Sequence, residues 1–268
     1  MKAPGLRAYA IFYLLFLYAP ILLLPIFAFN DAVVIAFPLE GFTTRWFVEM
    51  WEDPQLWNAL QNSLIISTVV ASIATLLGLF AARASTRYRF PAQTSILGLI
   101  MLPLVLPEIV VAMSLIVVLV AIGIPLSIFT IILGHVLITT PFAVTILSSA
   151  FQTLDRSLEE AAYDLGESAA STFRLIILPL VMPGIISSFL ICFIISLDEY
   201  IIASFLGGTQ PVLSTYIFGQ FRFPAKVPAV LALGTILVLI SIILLAFAEY
   251  MRRRGIAKAG GNTSGGAR

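Results

Sequence analysis

The sequence predicts an all-α integral membrane protein with six transmembrane helices. Three observations lead there. Apolar residues make up 60% of the 268-residue chain and charged residues 11%, against roughly 25% charged in an average soluble domain. The mean hydropathy is +1.05. The few charges cluster between long apolar runs, several of which reach the ~20 residues needed to cross the hydrocarbon core.

The first run, about 8–29, carries no charge and follows Lys2 and Arg7. It exceeds the ~7–15-residue core of a secretory signal, so it is read as an uncleaved first span. Residues 30–58 are polar and aromatic; Trp46, Trp51 and Trp57 fit a segment lying at the interface. The second span is about 60–82. Thr68, Ala71, Ser72, Thr75, Gly78 and Ala82 form a small-residue stripe on it, of the kind that lets helices approach closely. The third span, about 94–122, contains Pro103 and Pro107, which should bend it. Glu108 then falls near mid-membrane. The fourth span, about 126–150, holds His135 and Pro141. The fifth, about 181–206, holds Asp198, Glu199 and Tyr200 in its later half, and the sixth is about 229–250. Residues 255–268 read as a disordered Gly/Ser/Ala tail. The chain reads as one transmembrane domain without a convincing internal repeat.

Orientation follows from Lys and Arg, which favour the cytoplasmic side. With the N-terminus inside, inner segments hold 12 of the 15 basic residues; the outer ones hold only Arg45, Arg222 and Lys226. Both termini are then cytoplasmic, and so is segment 151–179 between spans four and five.

That segment is amphipathic and charged. Leu158, Ala161, Ala162 and Leu165 fall at i, i+3, i+4 and i+7, on one helical face. Ser157 and Glu160 fit a capping box. Gly166 is placed to end the helix in a left-handed conformation. A second short run, 168–178, is expected to stop at Pro179. An ordinary polar loop would have this composition too. Its place between two spans points instead to a rigid knob that fits a cytosolic partner, and several partners would fit such a sketch.

Buried ionisable groups are costly, about 2.5–3.5 kcal/mol at a helix centre. Glu108, Asp198 and Glu199 are therefore candidate pathway residues, and no Lys or Arg within a span pairs with them. Uncompensated carboxylates suit a cationic solute. Protonation or bonding to a neighbour would also accommodate them. Residues 198 and 199 are ~100° apart on a helix and should not face one lumen together. Tyr200, Phe205, Phe221 and Phe223 are candidates to cage an ammonium or to anchor at the interface. His135 reads as an interhelical hydrogen bonder, and Cys192, the only cysteine, as a small buried hydrophobe. No glycine is followed by lysine, so the chain has no phosphate loop for ATP.

Glu160-Ala161-Ala162, then Gly166, Ile176 and Leu178-Pro179, resembles the EAA loop of binding-protein-dependent ABC importer permeases. Arg87-Tyr-Arg-Phe90, Pro107-Glu-Ile-Val-Val-Ala112 and Leu197-Asp-Glu199 extend the likeness toward the second permease of spermidine/putrescine importers. The resemblance implies the type I importer permease fold in a bacterial inner membrane. It implies three companions: a dimer of cytosolic ATPase subunits binding ATP and Mg, a second permease, most simply a different chain, and an extracytoplasmic solute-binding protein. Glu160, Ala161, Ala162, Tyr163, Asp164, Leu165 and Gly166 would form the coupling helix. The chain itself would be no enzyme and hold no cofactor or metal, and nucleic acid is not an expected partner. Opines, other amines, iron and small anions are alternative solutes. An ion-gradient-driven transporter or channel using Glu108, Asp198 and His135 as a proton relay is the alternative mechanism.

Overall fold

The computed structural model describes residues 4–240 and 242–243. The described chain is helical apart from connecting segments, with one isolated antiparallel bridge between Asn30 and Phe42. It divides into two compact units, 1–53 with 219–268 and 54–218.

In the first unit, α1 (Pro4–Ala28) is the first apolar run. The polar segment after it folds back on itself. The Trp46 indole, at the start of α2 (Arg45–Trp51), donates to the Asn30 carbonyl at 2.8 Å, and the Glu40 amide donates to Asn30 Oδ1 at 2.9 Å. Trp46 is buried against Ala28 and Ala232. Trp51 is exposed. The sixth apolar run is helical as far as it is described continuously, α11 (Pro224–Ile240). Most of the expected range 241–250, and the whole tail 255–268, lie outside the described residues.

The second unit is built on α3 (Pro54–Arg87), 34 residues long. It packs on α6 (Ile128–Gln152) and on α9 (Leu178–Asp198). The small-residue stripe divides in two. Ala71, Thr75, Gly78 and Ala82 are buried, while Thr68 and Ser72 are exposed and turn their hydroxyls onto Leu64 and Thr68 carbonyls. At Gly78 the approach is closest: a Cβ there would stand 2.6 Å from Ala143 Cβ and 2.9 Å from the Ala143 carbonyl carbon. Backbone cannot yield as a flexible side chain can, so Gly78→Ala should cost about 1–3 kcal/mol by overpacking. A lowered thermal midpoint in detergent, not matched by Gly98→Ala in open space, is the expected result.

Three long-span expectations are corrected. The third is not one bent helix. It is α4 (Gln93–Val105) and α5 (Glu108–Ala121), set at 108°. Leu106 is extended (φ −83°, ψ 142°), as steric conflict with Pro107 requires, and Pro107 brings no amide to carry the helix on. Glu108 is thereby the first residue of α5, at the break between the two helices, and exposed. The fifth run likewise breaks: α9 ends at Asp198, Glu199 is extended (ψ 116°), and a separate α10 (Ile201–Leu206) follows. Finally, Pro179 does not stop the helix before it. The helix runs from Ala169 to Asp198. α8 (Ala169–Thr172) enters a π-turn, Phe173–Ile177, and α9 continues from it. The wider turn relieves the clash a proline ring makes with the carbonyl four residues back.

α10 is held in a core with α5 and α6, formed by Val111, Ala112, Leu119, Ile138, Ile202 and Leu206. A second core joins Leu79 and Ala82 of α3, Leu147 and Phe151 of α6, Ile177 at the end of the π-turn and Val181 of α9. This second core seats the segment between α6 and α9.

Candidate functional site: coupling segment and intramembrane acids

Segment 151–179 folds as α7 (Ser157–Asp164), a tight turn and α8. The capping box does not form. Ser157 is already the first helical residue, and its amide donates to Asp155 Oδ1 at 3.0 Å. That bond, with the Ser157 hydroxyl, holds the exposed Asp155 carboxyl below the usual carboxylate range. Asp155 thus takes the Ser157 amide that the capping box gave to the Glu160 side chain. The other end matches its expectation. Gly166 has φ +86°; its amide donates to the Tyr163 carbonyl at 2.9 Å and the Glu167 amide to the Ala162 carbonyl at 3.0 Å. The two bonds make a Schellman ending, which needs a left-handed residue at this place.

Of the predicted apolar face only Ala162 is buried. Leu158 and Ala161 are exposed, and Leu165, the C-terminal cap, is 85% exposed. Tyr163 and Asp164 are exposed too. The two adjacent acids part company. Glu159 Oε1 accepts from Arg87 Nε at 2.7 Å, with both side chains largely buried. Glu160 is exposed, and its carboxylate has no bonding partner among the described residues. Exposed Leu158, Ala161 and Leu165 thus stand beside an exposed carboxylate.

Further contacts tie this segment to the end of α3. Arg87 Nη2 donates to the Leu154 carbonyl at 3.2 Å, and Arg156 Nη2 to the Thr86 carbonyl at 3.1 Å. The Arg83 guanidinium lies 4.3 Å from the centre of the Phe173 ring. Sequence reasoning missed this clamp: its partners are some 70 residues apart, and nothing in local periodicity pairs them. Beside it lies a cavity of about 1040 Å³. Thr145, Ser148, Ser149 and Gln152, at i, i+3, i+4 and i+7 of α6, give it a polar wall.

The acids gather at the break between α9 and α10. Asp198 is exposed and Glu199 buried, in line with their angular separation. Glu199 is a capping residue: its Oε1 accepts from the Ile202 amide at 2.9 Å, and its own carbonyl accepts from Ser214 Oγ at 2.8 Å. Glu108 and Asp198 both lie within electrostatic reach of it. Tyr200 stacks on Phe218 with ring centres 4.1 Å apart. His135 makes the interhelical hydrogen bond its place suggested: it is buried, with Nδ1 2.9 Å from Ser196 Oγ, joining α6 to α9. Cys192 is buried. Among the described residues no group of His, Cys, Asp and Glu could hold a metal ion.

Comparison with known proteins draws these features together. The family model described as "Binding-protein-dependent transport system inner membrane component" matches residues 74–255, which include the coupling segment and the acids. The chain belongs to this family. The putrescine transport system permease protein PotI of Escherichia coli K12 is 37% identical over 262 residues, covering 91% of this chain and 92% of PotI. The spermidine/putrescine transport system permease protein PotC of the same strain is 32% identical over 249 residues, covering 92% of each. Among solved structures, a bacterial ABC transporter that imports the acidic polysaccharide alginate aligns with TM-score 0.71 and 15% identity, over 92% of this chain and 98% of that one. The MetNI methionine transporter aligns with TM-score 0.60 and 18% identity, over 78% and 98%. These last two establish the fold: that of an ABC importer permease. As a family member the chain is a multi-pass membrane transport subunit.

Proposed function

We propose that the chain is the permease subunit of an ATP-driven importer of a polyamine such as putrescine or spermidine. The observation that carries the reading is the exposed α7 knob, apolar at Leu158, Ala161 and Leu165 and acidic at Glu160, on a chain whose relatives are polyamine permeases. A cytosolic ATPase dimer binds ATP and Mg and receives α7, Glu160 to Gly166, in a cleft. A second, different permease completes the pathway, and an extracytoplasmic binding protein delivers the solute. The chain crosses the bacterial inner membrane six times as one permease domain, with both termini cytoplasmic; the 12-to-3 bias of basic residues supports that orientation.

Asp198 and Glu108 supply uncompensated negative charge beside the Tyr200–Phe218 stack. Carboxylates with an adjacent aromatic face suit an alkylammonium. The hydroxyl-lined cavity beside α6 gives the solute a polar exit. The test is ATP hydrolysis by the reconstituted complex, with its binding protein, across a panel of amines and anions. Stimulation by putrescine or spermidine and none by small anions is expected. Stimulation by anions alone would contradict the solute assignment.

A further inference from the structure

We infer that α3 is the transmission rod of the importer, joining the coupling helix at its inner end to the solute-site acids at its outer end. The inference rests on the function proposed above. The covalent chain hands the motion of α7 to α6 and α9. Both contain an internal proline, Pro141 and Pro183, and α9 is entered through a π-turn. Each is a place where a helix gives. α1 and α4 contain prolines as well. α3 has none after Pro54, at its first position, and runs 34 residues without interruption. It is the stiffest path available.

Its two ends are fastened to the two places that matter. At the inner end, Arg87 holds Glu159 of α7 and the Leu154 carbonyl, Arg156 holds Thr86, and Arg83 covers Phe173. At the outer end, Asn62 Nδ2 donates to the Pro211 carbonyl at 2.9 Å, and Ser63 Oγ accepts from the Leu213 amide at 2.7 Å. Val212 between them is buried against Ile66 and Val70. The next residue, Ser214, donates to the Glu199 carbonyl, adjacent to Asp198 and Tyr200. Ser63 and Arg87 stand about 36 Å apart along the axis at 1.5 Å per residue. A shift of α7 therefore reaches the acids as an axial or rotational shift of one rigid element. Arg87, Glu159 and Ser63 are positioning residues; none needs to touch solute.

The test uses the complete reconstituted complex with putrescine-loaded binding protein. The readout is the ratio of stimulated to unstimulated ATP hydrolysis, with co-purification of the ATPase recorded for every variant. Arg87→Glu and Ser63→Ala should each lower the ratio roughly 2- to 30-fold, the range for residues along a coupling network. The exchange Arg87→Glu with Glu159→Arg should respond better than either single change. Glu159→Gln, nearly isosteric, serves where charge reversal prevents assembly. Combining Glu159→Gln with Ser63→Ala should lower the ratio no further than the worse single variant, because both cut one line. Multiplying losses, or single variants that respond like the wild type, would overturn the inference alone. A wild-type complex that ignores the loaded binding protein would overturn the function reading as well.

Discussion

Glu160→Lys should abolish solute-stimulated ATP hydrolysis while the chain still inserts and folds. Glu160 is exposed on the first turn of α7 and its carboxylate bonds to nothing else among the described residues, so its removal leaves no buried partner stranded. Within the helix the change forfeits only about 0.3–1 kcal/mol of interaction with the N-terminal dipole. At a docked interface the same change sets like charges together where opposite charges met, at a cost of several kcal/mol, and each ~1.4 kcal/mol is tenfold in affinity. Pull-down of the ATPase on the detergent-solubilised permease should therefore fall about a hundredfold or more. Glu159→Lys makes a contrasting control. It breaks the Arg87 pair inside the chain and should lower the thermal midpoint of the isolated permease, which Glu160→Lys should not.

Gly166 gives the second large effect. Its φ of +86° is strained for any other residue, yet no atom outside its immediate neighbours lies within 4 Å of where a Cβ would be. Gly166→Ala therefore costs about 1–2 kcal/mol of backbone strain alone, and should weaken ATPase binding by about 5- to 30-fold. Inside the chain Gly166→Leu carries the same strain, and its Cβ likewise meets nothing within 4 Å. If a partner lies against this turn, Leu must weaken binding well beyond Ala. Equal effects of the two, measured by titrating the ATPase onto the reconstituted permease, would mean that the turn faces solvent even in the complex.

The parts of the fold that sequence made legible are those with a local cause. The left-handed Gly166 follows from a helix that must end; the apolar runs follow from the thickness of a bilayer. Pro103 and Pro107 announced a bend, but the 108° turn between α4 and α5 depends on Leu106 going extended and on α5 finding its own core with α10. The break at Glu199 had no such signal. No glycine or proline marks it; a carboxylate capping the Ile202 amide holds it open. The capping of α7 was assigned to Ser157 because the Ser-x-x-Glu pattern is common, while Asp155 reached the same amide first. The Arg87–Glu159 pair is a tertiary fact, and α3 as a rod becomes visible only when both of its anchors are seen at once.

The central claim is that this chain moves nothing by itself and yields only to nucleotide turned over by its partners. Uptake of labelled putrescine into proteoliposomes tests it most directly. The account predicts uptake only when ATPase, both permeases, loaded binding protein and ATP are all present, and none by the purified chain under any imposed proton gradient. Gradient-driven uptake by the purified chain alone would contradict it.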